Sequence, residues 1–350
     1  MTDTHVESAR TEPTPLSWCH DVVPTVSRSF AVTVRLLDAP MDDYICVGYL
    51  LCRVPDTVED ARHIPSDEKV RLLRTYDAAL DPSDPTTVEA FLDAVEPWIP
   101  ADVDDDWTVV RETKRVVSAF DAFDADVRGA MRPPIRELVC GMARFVEESA
   151  QGVGLRIDTQ EDLDRYCDVV AGTVGHLVTN LVAFDSDPET ERYLRERAEG
   201  FGRLLQLVNV VKDVHADYHE EDNVYVPREW LADDVPQDRL LADEHRAGTR
   251  RALQRVIGHA RSFRVDAHEY LERCARTAQL SLPPFGLPYL LALATLRELE
   301  GDLDAVLSGA TVKVSREEVH ELTAVLTAAP FDHTLLDELE RSVQRNRRPE

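Results

Sequence analysis

The chain has 350 residues, 43% hydrophobic and 30% charged, enough apolar material for one large domain or two modest ones. Acidic residues outnumber basic ones 66 to 39, and a net charge of −27 disfavours nucleic acid, whose phosphates need a basic surface. The only lysines are Lys69, Lys114, Lys212 and Lys313, and so acid-rich, lysine-poor a surface suits a salt-crowded cytoplasm and points to a halophile.

The opening stretch MTDTHVESARTEPTP has neither a basic start nor an apolar core, so no signal peptide is expected. Residues 1–14 are expected to be a flexible tail ahead of a single domain over residues 15–345. No apolar run reaches the length of a membrane span. A soluble, cytoplasmic protein is expected, with at most peripheral contact with a bilayer. The six cysteines (Cys19, Cys46, Cys52, Cys140, Cys167 and Cys274) form no C-x-x-C pair and read as buried free thiols of a reducing compartment.

Apolar residues recur at helical spacing through most of the chain, for example Leu138, Met142, Phe145 and Val146, then Leu204, Leu207, Val208 and Val211. Breaks are expected at Asp81–Pro85, Pro97–Asp106, Pro133-Pro134, Ser186–Pro188, Pro283-Pro284 and Ala329-Pro330. Strand-like alternation is scarce and no repeat divides the chain. The pattern predicts an all-α bundle of roughly ten or more helices.

Two acidic blocks stand out. In the first, Tyr49, Arg53, Asp56, Glu59 and Asp60 share one helical face; in the second, Gln206, Asn209, Asp213 and Asp217 do so. Carboxylates one turn apart can each give an oxygen to Mg²⁺, which keeps several waters and substrate phosphates as its other ligands. In so acidic a chain such pairs also arise by chance, mostly on solvated faces. The neighbours of both blocks are strongly apolar, however, and buried carboxylates are costly unless a cation compensates them. A di-iron bundle would need Glu-x-x-His on two helices, and only Glu317-x-x-His320 fits.

Ser27-Arg28-Ser29-Phe30 followed by Tyr49–Asp60 resembles the opening block of the squalene/phytoene synthase family. Tyr166–Gly175 is similar to that family's central helix, and Gln206–Asp217 with Tyr225–Trp230 to its second aspartate block. Pro284–Pro288, Ala294–Leu296 and the stretch around Lys313 continue the likeness in order, over roughly residues 15 to 325. The resemblance implies a single large helical bundle around a central cavity, the isoprenoid synthase fold. It implies that Asp56, Glu59 and Asp60 hold Mg²⁺ against one diphosphate, and Asn209, Asp213 and Asp217 against the other. Two farnesyl diphosphates would be the substrates of a monomeric enzyme.

By the same likeness Ser27, Arg28, Ser29, Phe30, Tyr49, Arg53, Gln206, Asn209 and Arg228 would bind substrate. Arg28 and Arg53 could equally be internal ion-pair partners of the carboxylates. Lys212, adjacent to Asp213, is expected to face elsewhere. Tyr166 would stand near the carbocation and help remove a proton when the cyclopropyl intermediate closes. Leu177, Val178, Leu181, Phe285 and Leu287 are candidates for a dry wall as well as for ordinary core. Gly172 and Gly175 suit close helix packing, and Pro55 is expected to kink its helix. No Gly-rich dinucleotide fingerprint is present, so an NADPH site would be of the family's own kind, with Lys313 its candidate phosphate ligand. A C-terminal membrane anchor, carried by some relatives, is not expected. The form Asp56-Thr57-Val58-Glu59-Asp60 leans toward squalene synthases, which finish with hydride from NADPH, over phytoene or dehydrosqualene synthases, which finish by losing a proton. A catalytically silent prenyl-diphosphate binder is the alternative of another class.

Overall fold

Helical periodicity is realised as helices. The computed structural model describes residues 13–149, 154–184, 186–277, 283–328 and 333–345. Among the described residues there are eighteen α-helical segments and no strand, with one isolated parallel bridge between Arg156 and Val224. Much of the proposed 1–14 tail, Ala329-Pro330 and the last five residues lie outside the described residues. No helix among the described residues is long and apolar enough to cross a membrane.

Two long helices organise the bundle. Met41–Asp60 buries eleven of its residues, from Ile45 to Glu59, and packs on Ala125–Glu148, Thr113–Asp121 and Pro15–Val26. Pro188–Lys212 packs on Arg264–Thr277, Thr173–Val182, Arg246–Ser262 and Pro283–Gly301. Its start is set by Asp187, whose side chain accepts from the Glu189 and Thr190 N–H groups, with Pro188 at the first helical position. Most of the buried apolar side chains form one core, with a small satellite around Tyr270, Leu194 and Val182.

Asp81–Pro85 falls between helices and Ser186–Pro188 at a helix start, as expected, but Pro133-Pro134 does not break the fold where the sequence led one to expect it. Pro133 and Pro134 lie inside Ala125–Glu148, and Pro55 lies inside Met41–Asp60. A helical proline leaves the carbonyl four residues earlier without its usual donor. Here other side chains supply it. The buried Tyr76 hydroxyl donates to the Leu51 carbonyl at 2.9 Å, and the Asn180 amide donates to the Ala130 carbonyl at 2.8 Å. The prolines thus become tie points between helices.

Helix contact is closest around the Gln160–Val182 region. A Cβ on Gly175 would lie 2.7 Å from the Ala198 carbonyl oxygen, and one on Gly202 would lie 2.7 Å from both C and O of Ala171. Gly172, expected to serve the same purpose, has ordinary contacts of 3.6–3.7 Å around its own Cβ direction. It is Gly202 that must lack a side chain there. All six cysteines are free thiols; four are buried, Cys52 is half-buried and Cys140 is exposed, so the expectation of six buried thiols fails at Cys140.

Candidate active site

The last turns of Met41–Asp60 carry the first acidic block. Tyr49 stacks on Phe30 with ring centroids 4.1 Å apart, and the Ser27 hydroxyl caps the next helix by accepting from the Phe30 N–H at 3.3 Å. One turn on, Arg53 donates from Nε and Nη2 to both oxygens of Asp106 (2.8 and 3.0 Å) and from Nη1 to Asp56 at 2.5 Å. Arg53 is therefore an internal ion-pair partner, fixed bidentately by a carboxylate from Asp105–Arg111. Arg28 is exposed and without a hydrogen bond or ion pair among the described residues. The Ser29 side chain is outside the described ones.

Pro188–Lys212 ends just before the second block. Asp213 caps it at φ −100°, ψ 4°; a short turn, Val214–Ala216, follows, and then a π-turn, Asp217–Glu221. Because the helix stops at Lys212, the expected divergence of Lys212 from Asp213 does not occur: Lys212 Nζ lies 3.0 Å from Asp213 and 3.4 Å from the Asn209 side-chain oxygen. Asn209 is exposed and Gln206 half-buried.

The two blocks meet. Burial pushes Asp60 well above the usual carboxylate range, and the charges of Asp56, Glu59 and Glu221 push it further. Burial raises Asp217 to about 9, reinforced by Glu221 and Asp213, with Glu59 also contributing. Glu221 rises to about 7, through burial and then Glu59, with Asp56 and Asp213 adding to it. Glu221 completes the spacing Asp213-x₃-Asp217-x₃-Glu221, a signal present in the sequence but not used there. Lys69 supplies a positive charge from the facing helix, its Nζ donating to the Glu59 carbonyl. Neither Lys69 nor Asp106 carries a local motif that would have marked it.

Six carboxylates (Asp56, Glu59, Asp60, Asp213, Asp217, Glu221) thus face three cations (Arg53, Lys69, Lys212). Among the described residues they bring no three ligating oxygens within 4.8 Å of one another. A hard cation held by one or two carboxylates, with phosphate and water completing its shell, suits this donor set. The residues fit Mg²⁺.

Tyr166 lies beside the first block, 6% exposed, with its ring 4.7 Å from Tyr225 and 5.4 Å from Phe145. Burial holds its hydroxyl well above the ordinary pKa, and the Glu59, Asp60 and Asp56 charges act the same way, while a hydrogen bond with Tyr225 opposes them. Tyr225 was not singled out from the sequence. It is set by a backbone zipper in which the Ile157 N–H donates to Val224 (3.1 Å) and the Val224 N–H to Leu155 (2.9 Å), while Asn223 donates to its hydroxyl at 3.1 Å. Arg203 grips both oxygens of Asp168 at 2.5 and 2.6 Å, tying the π-turn Asp168–Gly172 to Pro188–Lys212.

Leu177, Leu181, Phe285 and Leu287 are buried, and Leu177 faces Gly48. Arg228 is half-buried; its backbone N–H joins the zipper by donating to Ile157, and its guanidinium makes no hydrogen bond among the described residues. Lys313 is exposed between Leu303–Leu307 and Arg316–Ala328, away from any ion pair among the described residues. Glu317 and His320 are both exposed, so no di-iron pair faces the interior there.

A sequence model of the squalene/phytoene synthase family matches residues 23–318. The chain belongs to that family. It is 26% identical over 295 residues to squalene synthase ERG9 of Candida albicans, covering 81% of this chain and 62% of the relative. It is likewise 26% identical over 284 residues to the squalene synthase of Rattus norvegicus, covering 80% and 64%. The chain spans about three fifths of the length of the curated relatives it matches. A solved complex of TcSQS with the ligand E5700 superposes with a TM-score of 0.72 over 95% of this chain and 97% of that one, at 23% identity, which shows that the folds are alike.

Proposed function

We propose that this family member is a Mg²⁺-dependent prenyltransferase that joins two farnesyl diphosphates head to head and, with NADPH, reduces the product to squalene. The observation that carries this reading is the meeting of two carboxylate blocks from different helices beside a buried tyrosine pair. Bound Mg²⁺ would supply Lewis-acid neutralisation of the leaving diphosphate. Asp56, Glu59 and Asp60 would hold it on one side, and Asp213 and Asp217, with Asn209 and Glu221, on the other.

The remaining work falls to the chain's own groups. Lys212 and Arg228 offer charge-assisted hydrogen bonds to diphosphate oxygens, as does the free guanidinium of Arg28. Arg53, already committed to Asp106, orients Asp56. Phe30 and Tyr49 present a stacked aromatic surface to the prenyl chain. The apolar residues around Leu177 keep water from the carbocation. Tyr166, neutral because its phenolate is strongly disfavoured, relays the proton lost on ring closure toward the carboxylates beside it. Lys313 is the group we assign to the phosphate of NADPH. This division of roles accounts for six carboxylates, Glu59 buried and the others half-buried, that outnumber their three cations next to a hydrophobic core, which a merely structural bundle would avoid.

Incubation with farnesyl diphosphate and Mg²⁺ tests the reading. Without NADPH a cyclopropyl diphosphate should accumulate, and NADPH should redirect the flux to squalene with label from deuterated cofactor. Asp56→Asn or Asp213→Asn should each remove nearly all turnover, and Lys313→Ala should weaken NADPH use while sparing the first half-reaction. Identical products with and without NADPH, from geranylgeranyl diphosphate, would assign phytoene synthesis instead. No metal-dependent turnover at all would leave a prenyl-diphosphate binder.

A further inference from the structure

A second cluster of ligating atoms lies at the opposite end of Met41–Asp60. His20, on Pro15–Val26, places Nε2 at 2.7 Å from Asp43 Oδ1, and one atom from each of His20, Asp42 and Asp43 falls within 4.8 Å of the others. Asp42 and Asp43 occupy the first turn of their helix, where the macrodipole favours carboxylates. That field explains two acids, and an ordinary ion pair explains His20 with Asp43. Neither explains Asp42, a half-buried residue whose Oδ1 is sealed from solvent and has no hydrogen-bond donor among the described residues. A desolvated carboxylate oxygen without a donor is costly, and a cation removes that cost.

We infer that His20, Asp42 and Asp43 form a binding site for a transition-type divalent cation of the Zn²⁺ class, separate from the acidic blocks. The ligand chemistry selects the ion: one imidazole nitrogen and two carboxylate oxygens suit Zn²⁺, whereas Mg²⁺ and Ca²⁺ take oxygen alone. Ligands about 2.0–2.1 Å from a tetrahedral ion stand about 3.4 Å apart, so the His20–Asp43 contact opens by less than an ångström to admit one. The His20 and Asp43 side chains are 32% and 31% exposed, which leaves an entry path and room for water as a fourth ligand. Asp43 and Asp56 are thirteen residues apart on one helix, about 20 Å along its axis. An ion here would therefore staple Pro15–Val26 to the start of the helix that carries the first acidic block, without touching its carboxylates.

The test is calorimetric titration of the chelator-treated full chain with Zn²⁺ in excess Mg²⁺, with circular dichroism confirming the fold of each variant. One equivalent should bind wild type and the Asp56→Asn/Asp213→Asn double variant alike. Binding should weaken at least tenfold in His20→Gln and, independently, in Asp42→Asn. Co²⁺ should give visible absorption that His20→Gln abolishes. Equal Zn²⁺ affinity in wild type and His20→Gln, no binding to wild type, or loss of binding in the double variant would each overturn the assignment.

Discussion

Gly202 and Gly172 face each other across the contact between Pro188–Lys212 and the π-turn, yet they should respond oppositely to alanine. A methyl group on Gly202 would stand 2.7 Å from C and O of Ala171 and 2.9 Å from N of Gly172. Carbon atoms in favourable contact stand about 3.5–4.0 Å apart, so the overlap is close to 1 Å. A methyl has no torsion through which to escape, and all three obstacles are backbone. Overpacking of this kind costs about 1–3 kcal/mol, at its upper end here, against a gain of about 1 kcal/mol from replacing a helical glycine. Gly202→Ala should therefore lose about 2 kcal/mol net. A methyl on Gly172 meets nothing closer than 3.6 Å, so Gly172→Ala should gain up to about 1 kcal/mol. Urea unfolding of the two variants side by side should show midpoints on opposite sides of wild type. Gly202→Ala should also lower turnover, since the displaced turn follows directly on Tyr166. Equal midpoints, or a Gly202→Ala variant as stable as wild type, would refute the reasoning.

Other consequences can be measured on the same protein. Glu340, 3% exposed, accepts hydrogen bonds from Tyr289 (2.5 Å), Arg264 (2.6 Å) and His268, so Glu340→Gln should destabilise the fold by about 3–5 kcal/mol in thermal or urea unfolding. Glu340 is held below its usual pKa, burial opposing and His268 and Tyr289 lowering it, whereas the hydrogen bond His268 donates to Glu340 holds His268 above 6.5. The pair's stabilisation should thus fade as pH rises through the raised His268 pKa and again as pH falls through the depressed Glu340 pKa, and Glu340→Gln should flatten both limbs of a melting-temperature profile. Asp217, raised from 3.8 to about 9, makes the cation-free fold lose stability progressively over that pH range. The melting temperature gained on adding Mg²⁺ should therefore be larger at pH 9 than at pH 6; an equal gain would remove Asp217 from the metal site. With a charge of −27, the fold should melt later in molar KCl, where the Debye length is about 3 Å, than in dilute buffer.

The helical class and the order of the blocks were legible because apolar periodicity and acidic spacing are local properties. So was the burial of the helix that carries the first block, announced by Ile45, Val47, Leu50 and Leu51. Three features depended on chain folding that spacing does not encode. Asp106 reaches Arg53 from another helix; Lys69 comes from the next one. A helix continuing through Asp213 would turn Lys212 to the other side, but the backbone turns at Asp213 and brings the two together. The prolines misled for a related reason. Whether Pro133-Pro134 ends a helix depends on a donor such as Asn180, half a hundred residues away, to serve the carbonyl left open. Glu221 is the instructive omission, since its spacing was visible and only its company was not.

Two π-turns flank the chemistry, Asp168–Gly172 just after Tyr166 and Asp217–Glu221 at the second block. Each carries one residue more than regular α-helical winding would need, and the widened turn absorbs it locally. Deleting one residue from Asp168–Gly172 would let the helix close its ordinary hydrogen bonds with little change in the direction of the turns on either side. It would instead shift the residues gathered at that point, Asp168 in the grip of Arg203 and Ala171 against Gly202. The chain would regain regularity and lose its seat on Pro188–Lys212. The irregular turn is thus a fastening, a place where the helix gives up one ordinary bond to hold its neighbour.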